Sequence, residues 1–172
     1  MTYPHEIERA RLQEAVNHVW RHFITEGKPP GIDPLDDRFQ VPGQESLPCV
    51  FQAPSGDRCA IGILMPSDAD APNILEHEGD INDLFNSAFD YEYDAFASLH
   101  GFTEQEEAWL TTWSPLRHQL DALQSCHDLA VQGHRTLKDD SYWLIDHAGF
   151  RDSLRTNLTE FCEMNDLTVP TD

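Results

Sequence analysis

Apolar positions recur at helical spacing in the first quarter of the chain: Leu12, Ala15, Val16, Val19, Trp20 and Phe23 fall on one stripe. They predict a helix over 4–26, with Pro4 in its first turn, Gly27 as its C-terminal cap and Pro29, Pro30 and Pro34 enforcing a loop. From Cys49 to Met65 the pattern changes. Val50 and Phe51 precede the turn formers Pro54-Ser55-Gly56-Asp57, and Ile61, Ile63 and Leu64 follow them. This predicts a β-hairpin over 48–65, with Ala53 opposite Arg58 and a close backbone approach or bulge at Gly62.

Further on, an acidic, aromatic segment over 73–113 reads as helical. Asn73 to His77 makes one turn, and Asp80 caps a helix holding Ile81, Leu84, Phe85, Ala88 and Phe89. Thr103 with Glu106 forms a capping box ahead of Trp109, Leu110 and Trp113. Leu116, Leu120, Leu123, His127, Ala130 and Val131 share a face and predict a helix over 115–132. Residues 134–140 read as loop and 141–147 as a short helix. Phe150, Leu154, Leu158 and Phe161 then mark a final helix over 150–165. The expected fold is α+β in one domain over 1–172, about five or six helices packed around a two-stranded antiparallel hairpin.

Composition changes this picture in one respect. Forty per cent hydrophobic residues suffice for a core, but 31 acids against 11 bases leave a formal charge of −20. Direct binding to nucleic acid or to an anionic membrane is excluded as an expectation, because both need basic patches. A cation or a basic partner suits such a chain. There is no apolar run of about eighteen residues and no basic-then-apolar leader, so a cytoplasmic protein is expected. Cys49, Cys59, Cys126 and Cys162 lack the spacing of a zinc site or disulfide scaffold and read as reduced thiols.

The motif Cys49…Gly56-Asp57-Arg58-Cys59-Ala60-Ile61-Gly62…Leu64-Met65-Pro66, with the later Leu123-Gln124-Ser125-Cys126-His127-Asp128, resembles a family of small bacterial and phage-encoded hypothetical proteins. Gly27-Lys28 at the end of the first helix and the amphipathic stretch from Phe150 extend the resemblance. It implies an architecture (long helix, hairpin, C-terminal helix) and a phage-related setting, but no mechanism. The aromatic, acidic insertion around Phe85 to Trp113 departs from the family.

The strongest chemical feature is acidity without counter-charge. No lysine or arginine lies between Arg58 and Arg117, where twelve acids occur: Asp68, Asp70, Glu76, Glu78, Asp80, Asp83, Asp90, Glu92, Asp94, Glu104, Glu106 and Glu107. Duplex DNA carries one charge per roughly 1.7 Å of axis, so these acids match roughly 20 Å of duplex. They define a candidate face for a basic, nucleic-acid-handling protein, with Tyr91, Tyr93, Phe96 and Trp109 as aromatic anchors. On this reading the chain is a non-enzymatic interaction protein without cofactor, a decoy that mimics nucleic acid. A solvated face in a salt-adapted protein is the bland alternative, with the aromatics in the core.

Two metal readings compete with it. His127-Asp128 invites comparison with metal phosphohydrolases that place a His-Asp pair on one ion, with His100 or His118 and Asp146 as nominal further ligands. Nine histidines in an aspartate-rich chain make such a dipeptide common by chance, and His127 lies on an apolar helix face. His18 and His22 have i, i+4 ligand spacing but lack the glutamate of an HExxH motif. Cys59 and Cys126 sit where nothing local lowers a thiol pKa, so both read as structural.

Overall fold

The computed structural model describes residues 4–32, 51–67, 69–75, 80–88, 102–138 and 142–172. Helix α1 runs over Pro4–Trp20 and continues as a wider π-turn over Arg21–Thr25. All six residues of its predicted stripe are buried. Gly27 takes φ +64 and lets the chain leave the helix, its neighbour Lys28 donating back to the His22 carbonyl at 3.1 Å.

A hairpin is present, but not where the hydrophobic pattern predicts one. Residues 48–50 lie outside the described residues, and from Phe51 onward the chain forms a tight turn carrying a single antiparallel bridge, Gln52 opposite Arg58. The pairing is one residue away from the predicted Ala53–Arg58 register. Past Cys59 the chain bends into a 3-10 turn over Gly62–Leu64 instead of a second strand. Local partners take up the groups a ladder would use. The Arg58 guanidinium donates to the carbonyls of Gly62 (3.1 Å), Met65 (3.4 Å) and Pro66 (3.0 Å). Cys59 Sγ accepts from the Gly62 N–H, and Gln124 Oε1 accepts from that of Ile61 at 3.1 Å. A buried apolar run fits a strand or a buried turn equally well, and here side-chain hydrogen bonds selected the turn. The close approach expected at Gly62 is real: a Cβ there would overlap the Phe51 carbonyl oxygen of the same turn.

The two-stranded antiparallel sheet is made by β1 (Arg135–Lys138) and β2 (Tyr142–Ile145), paired from Arg135↔Ile145 to Lys138↔Tyr142. These segments read as loop and short helix in the sequence, because four-residue strands carry too little alternation to be seen. The aromatic and branched run Tyr142-Trp143-Leu144-Ile145 nonetheless suits a pleated surface. The hairpin joins two long helices at the edge of the molecule: Thr136 and Leu144 are exposed.

Those helices are α5 (Arg117–Gly133) and α6 (His147–Met164). They run antiparallel, as contacts of Cys126 with Asn157 and of His134 with Ser153 require. α6 starts a turn earlier than its apolar stripe, because Asp146 Oδ1 accepts from the Ala148 N–H and caps it. α1 lies against α6, and Phe23, His127 and Phe150 meet where α1, α5 and α6 converge. The short α2 (Pro72–Leu75), α3 (Ile81–Ala88) and α4 (Glu104–Trp113) close the other side. There Phe85 stacks on Trp109 with 6.0 Å between centroids. The C-terminal tail returns along α1, where Gln13 pairs with both backbone groups of Thr168. Among the described residues no helix is long and apolar enough to cross a membrane.

The crowding at Gly62 sets a stability test. Gly62→Ala should cost about 2 kcal/mol or more, the upper range for forcing atoms into a packed site. That corresponds to a melting temperature lower by roughly 4–8 °C in a protein of this size. Gly133→Ala, in open space in the last turn of α5, should leave the temperature unchanged or raise it slightly. Equal effects in thermal melts would refute the close-approach account.

Candidate functional site

Glu106 ties the first turn of α2 to the start of α4. Its carboxylate is fully buried. Oε1 accepts from the N–H groups of Asn73 (2.7 Å) and Ile74 (3.0 Å), and Oε2 accepts from Asn73 Nδ2 (2.9 Å) and the Thr103 N–H (2.6 Å). Thr103 Oγ1 in turn accepts from the Glu106 N–H at 3.2 Å, completing the predicted capping box. One carboxylate therefore caps two helices, since Asn73 and Ile74 supply first-turn donors of α2 that no intrahelical carbonyl can reach. Burial by itself raises the pKa of this group. The hydrogen bonds from Asn73, Thr103 and Ile74 outweigh burial and hold it below the ordinary glutamate value.

This arrangement corrects one member of the predicted face. Glu106 cannot meet a partner, whereas Asp70, Asp80, Asp83, Glu104 and Glu107 are exposed. The clamp and a bond from Thr103 Oγ1 to the Asp70 carbonyl (2.6 Å) bring Asp70 beside the first turn of α4, which carries Glu104 and Glu107. Asp80 and Asp83 cap α3 reciprocally, the Asp83 N–H donating to Asp80 Oδ1 at 2.8 Å. Asp68, Glu76, Glu78, Asp90, Glu92 and Asp94 lie outside the described residues, as do the anchors Tyr91, Tyr93 and Phe96. Trp109 is no anchor: it is buried, and its indole N–H donates to the Leu64 carbonyl at 2.8 Å. Two arginine–carboxylate pairs, Arg9–Asp166 and Arg155–Asp172, lie on the α1–α6 side of the molecule.

His127 is a core residue. Its ring sits between Phe23 and Phe150, with centroids 5.2 and 5.6 Å away. Nδ1 lies 2.9 Å from Asp128 Oδ1, which also accepts from Gln124 Nε2 at 2.5 Å. The bond from the Ile61 N–H fixes the amide orientation of Gln124, so the chain of donors runs from both sides toward Asp128. The imidazole proton then belongs on Nδ1, and Nε2 faces the apolar wall with no hydrogen-bond partner among the described residues. Of the nominal further ligands, His100 lies outside the described residues, His118 is exposed, and Asp146 caps α6. No group of three or more histidine, cysteine or carboxylate side chains gathers as a metal site among the described residues. His127-Asp128 thus ties α5 to the Ile61 turn.

A second polar cluster had no sequence signal beyond a glycine early in α6. His134 Nε2 lies 2.7 Å from Ser153 Oγ, and Nδ1 lies 3.9 Å from Asp146 Oδ2, beside an open cavity of about 350 Å³. Gly149 leaves the room for this imidazole, since a Cβ there would overlap both His134 and Asp146. The order hydroxyl, imidazole, carboxylate is that of nucleophilic triads. Here 3.9 Å exceeds a hydrogen bond, and Ser153 lies inside α6, where helical bonding occupies the backbone N–H groups that could stabilise an oxyanion. The cluster fastens the hairpin to α6.

Two of the thiols, Cys126 and Cys162, are held in the unreactive protonated form. Burial pushes Cys126 up to about 11, with Cys162 and Glu160 adding to it, and burial also raises Cys162. No family model, curated protein or solved structure matches the chain.

The clamp makes a pH-dependent prediction. Glu106→Gln keeps one acceptor but turns an NH2 group toward N–H donors, and should cost about 2–3 kcal/mol at neutral pH. A folded-state pKa below the unfolded one gives stability that is present above the unfolded value, about 4.3, and is lost as pH falls through the folded value. Urea unfolding from pH 7 to pH 3 should therefore show the gap between wild type and variant narrowing below about pH 4.3. A gap that stays constant with pH would mean the carboxylate is not charged in the folded protein.

Proposed function

We propose that this protein is a non-enzymatic, acidic interaction protein of the cytoplasm whose α2–α4 face binds a basic nucleic-acid-handling protein as a decoy for nucleic acid. One observation carries the reading: the buried Glu106 carboxylate joins α2 to α4, and α3 packs on α4 through Phe85 and Trp109, so that joined elements carry the exposed carboxylates. They lie within a stretch of 58 residues, Cys59 to Leu116, that contains no lysine or arginine. A fixed array of like charge presents the same field to each encounter, which speeds association with a basic groove and discriminates against acidic partners. The resemblance to bacterial and phage-encoded proteins directs the proposal toward a nucleic-acid system of a host or rival.

The test begins with capture of host proteins on the immobilised chain, eluted along a salt gradient. The partner identified is then titrated with wild type and with Asp70→Asn, Asp80→Asn, Asp83→Asn, Glu104→Gln and Glu107→Gln combined. Asparagine retains the cap oxygens of α3, so the variant should fold. It should bind the partner about 100-fold more weakly at low salt, with a shallower dependence of affinity on salt. DNA should compete for the wild-type complex. Unchanged affinity in the neutralised variant would sink the proposal.

A further inference from the structure

We propose that the groove between α5 and α6 is a docking site for a basic amphipathic helix of about three turns contributed by a partner protein. On α5 the groove is lined by His118, Asp121, Ala122, Ser125, Cys126 and Leu129. These positions run i, i+3, i+4, i+7, i+8 and i+11, one unbroken helical stripe. Asn157, Glu160 and Met164 repeat the pattern on α6 as i, i+3 and i+7. Two antiparallel helices that leave matching stripes open present the ridges and groove into which a third helix packs. The groove encloses about 400 Å³.

Its chemistry selects the occupant. Leu129 is 61% exposed and Met164 78%, two of the four large hydrophobic side chains most exposed among the described residues, and both border this groove. Between them the floor is small, with Ala122, Ser125 and Cys126 allowing close approach of a helix backbone. The floor is also electrically quiet. The Cys126 thiol stays protonated at neutral pH, and Asn157 Nδ2 already donates to the Cys126 carbonyl at 2.9 Å. Asp121 lies on one wall and Glu160 on the other, and among the described residues no lysine or arginine lines the groove. An apolar groove with acidic walls and a methionine at its end fits a helix with leucine-like residues at i, i+3, i+4 and i+7 and lysine or arginine beside them. A second copy of this chain would bring its own Asp121 and Glu160 against the first, and a membrane of anionic lipid would be repelled. The span from His118 to Leu129, at 1.5 Å per residue, is roughly 16 Å, or three turns.

The groove shares no residue with the α2–α4 face, so the two proposals fail separately. The test uses the full chain and a labelled peptide of about fifteen residues, enough for the three turns and their ends. Leucine occupies i, i+3, i+4 and i+7, and lysine the other positions. Its control is an isomer of the same composition with the period scrambled. At about 0.15 M salt, where surface attraction is screened beyond about 8 Å, fluorescence anisotropy should show the amphipathic isomer binding at least about tenfold more tightly. The Leu129 and Met164 methyl signals should shift on titration. Leu129→Ser with Met164→Ser, both at exposed positions, should keep the unfolding curve and abolish that ratio, whereas the neutralised α2–α4 variant should retain it. Equal affinity for the two isomers, or a ratio that survives in the double variant, would overturn the proposal. So would self-association of the chain that the double variant removes, because the occupant would then be a second copy.

Discussion

The buried carboxylate of Glu106 is the constraint on which the α2–α4 side of this protein depends. Two helix N-termini end in the same place, and each brings N–H groups that its own helix cannot satisfy. A single ionised side chain answers both, with four hydrogen bonds between 2.6 and 3.0 Å. The geometry is strong because the acceptor is charged and three of the four donors are backbone N–H groups. It is also unforgiving, since removal of the charge would leave a set of buried donors facing a poorer acceptor. An acid in the most acidic part of the chain is thus withdrawn from the surface to set where its exposed neighbours stand.

The same economy of polar groups recurs around Asp128 and His134. The Ile61 N–H, Gln124, Asp128 and His127 form a connected series linking the turn after Cys59 to α5. Such a series fixes the position of a turn that contributes little regular structure of its own. His134, Ser153 and Asp146 do the corresponding work at the C-terminal end of α5, where the hairpin meets α6. Both histidines sit in settings that resemble catalytic ones when viewed as residue pairs. Their surroundings give them architectural roles: apolar rings around His127, and helical backbone around Ser153.

Among the described residues, two outward-facing features carry the proposals made above. One is the set of exposed carboxylates on and beside α2, α3 and α4, and the other is the open side of the α5–α6 pair with Leu129 and Met164 at its rim. Both proposals call for a partner rich in lysine and arginine, and they ask it for different things. The first would recognise charge at a distance and lose strength with salt. The second would recognise helical periodicity in contact and depend on apolar burial. A partner engaging both would gain through linkage beyond either contact alone.

Local sequence placed α1, α4 and α6, although the Asp146 cap starts α6 a turn before its stripe. The stripe from Leu12 to Phe23, the Thr103–Glu106 box and the stripe from Phe150 to Phe161 are periodic and capped within a few residues of themselves, so the information needed is contiguous. Charge was equally legible, because composition alone fixes it. Tertiary structure decided the rest. The apolar run after Gly56 carries no signal separating a strand from a buried turn, and the choice came from Arg58, Cys59 and the distant Gln124. The hairpin formed instead in the four-residue segments at 135–138 and 142–145, too short for alternation to reveal. Glu106 looked like one more surface acid because its second set of donors, Asn73 and Ile74, lies 33 and 32 residues away. Periodicity reports which face of an element is apolar; which other element meets that face is a property of packing, and only packing could turn Glu106 inward and leave Leu129 and Met164 outside.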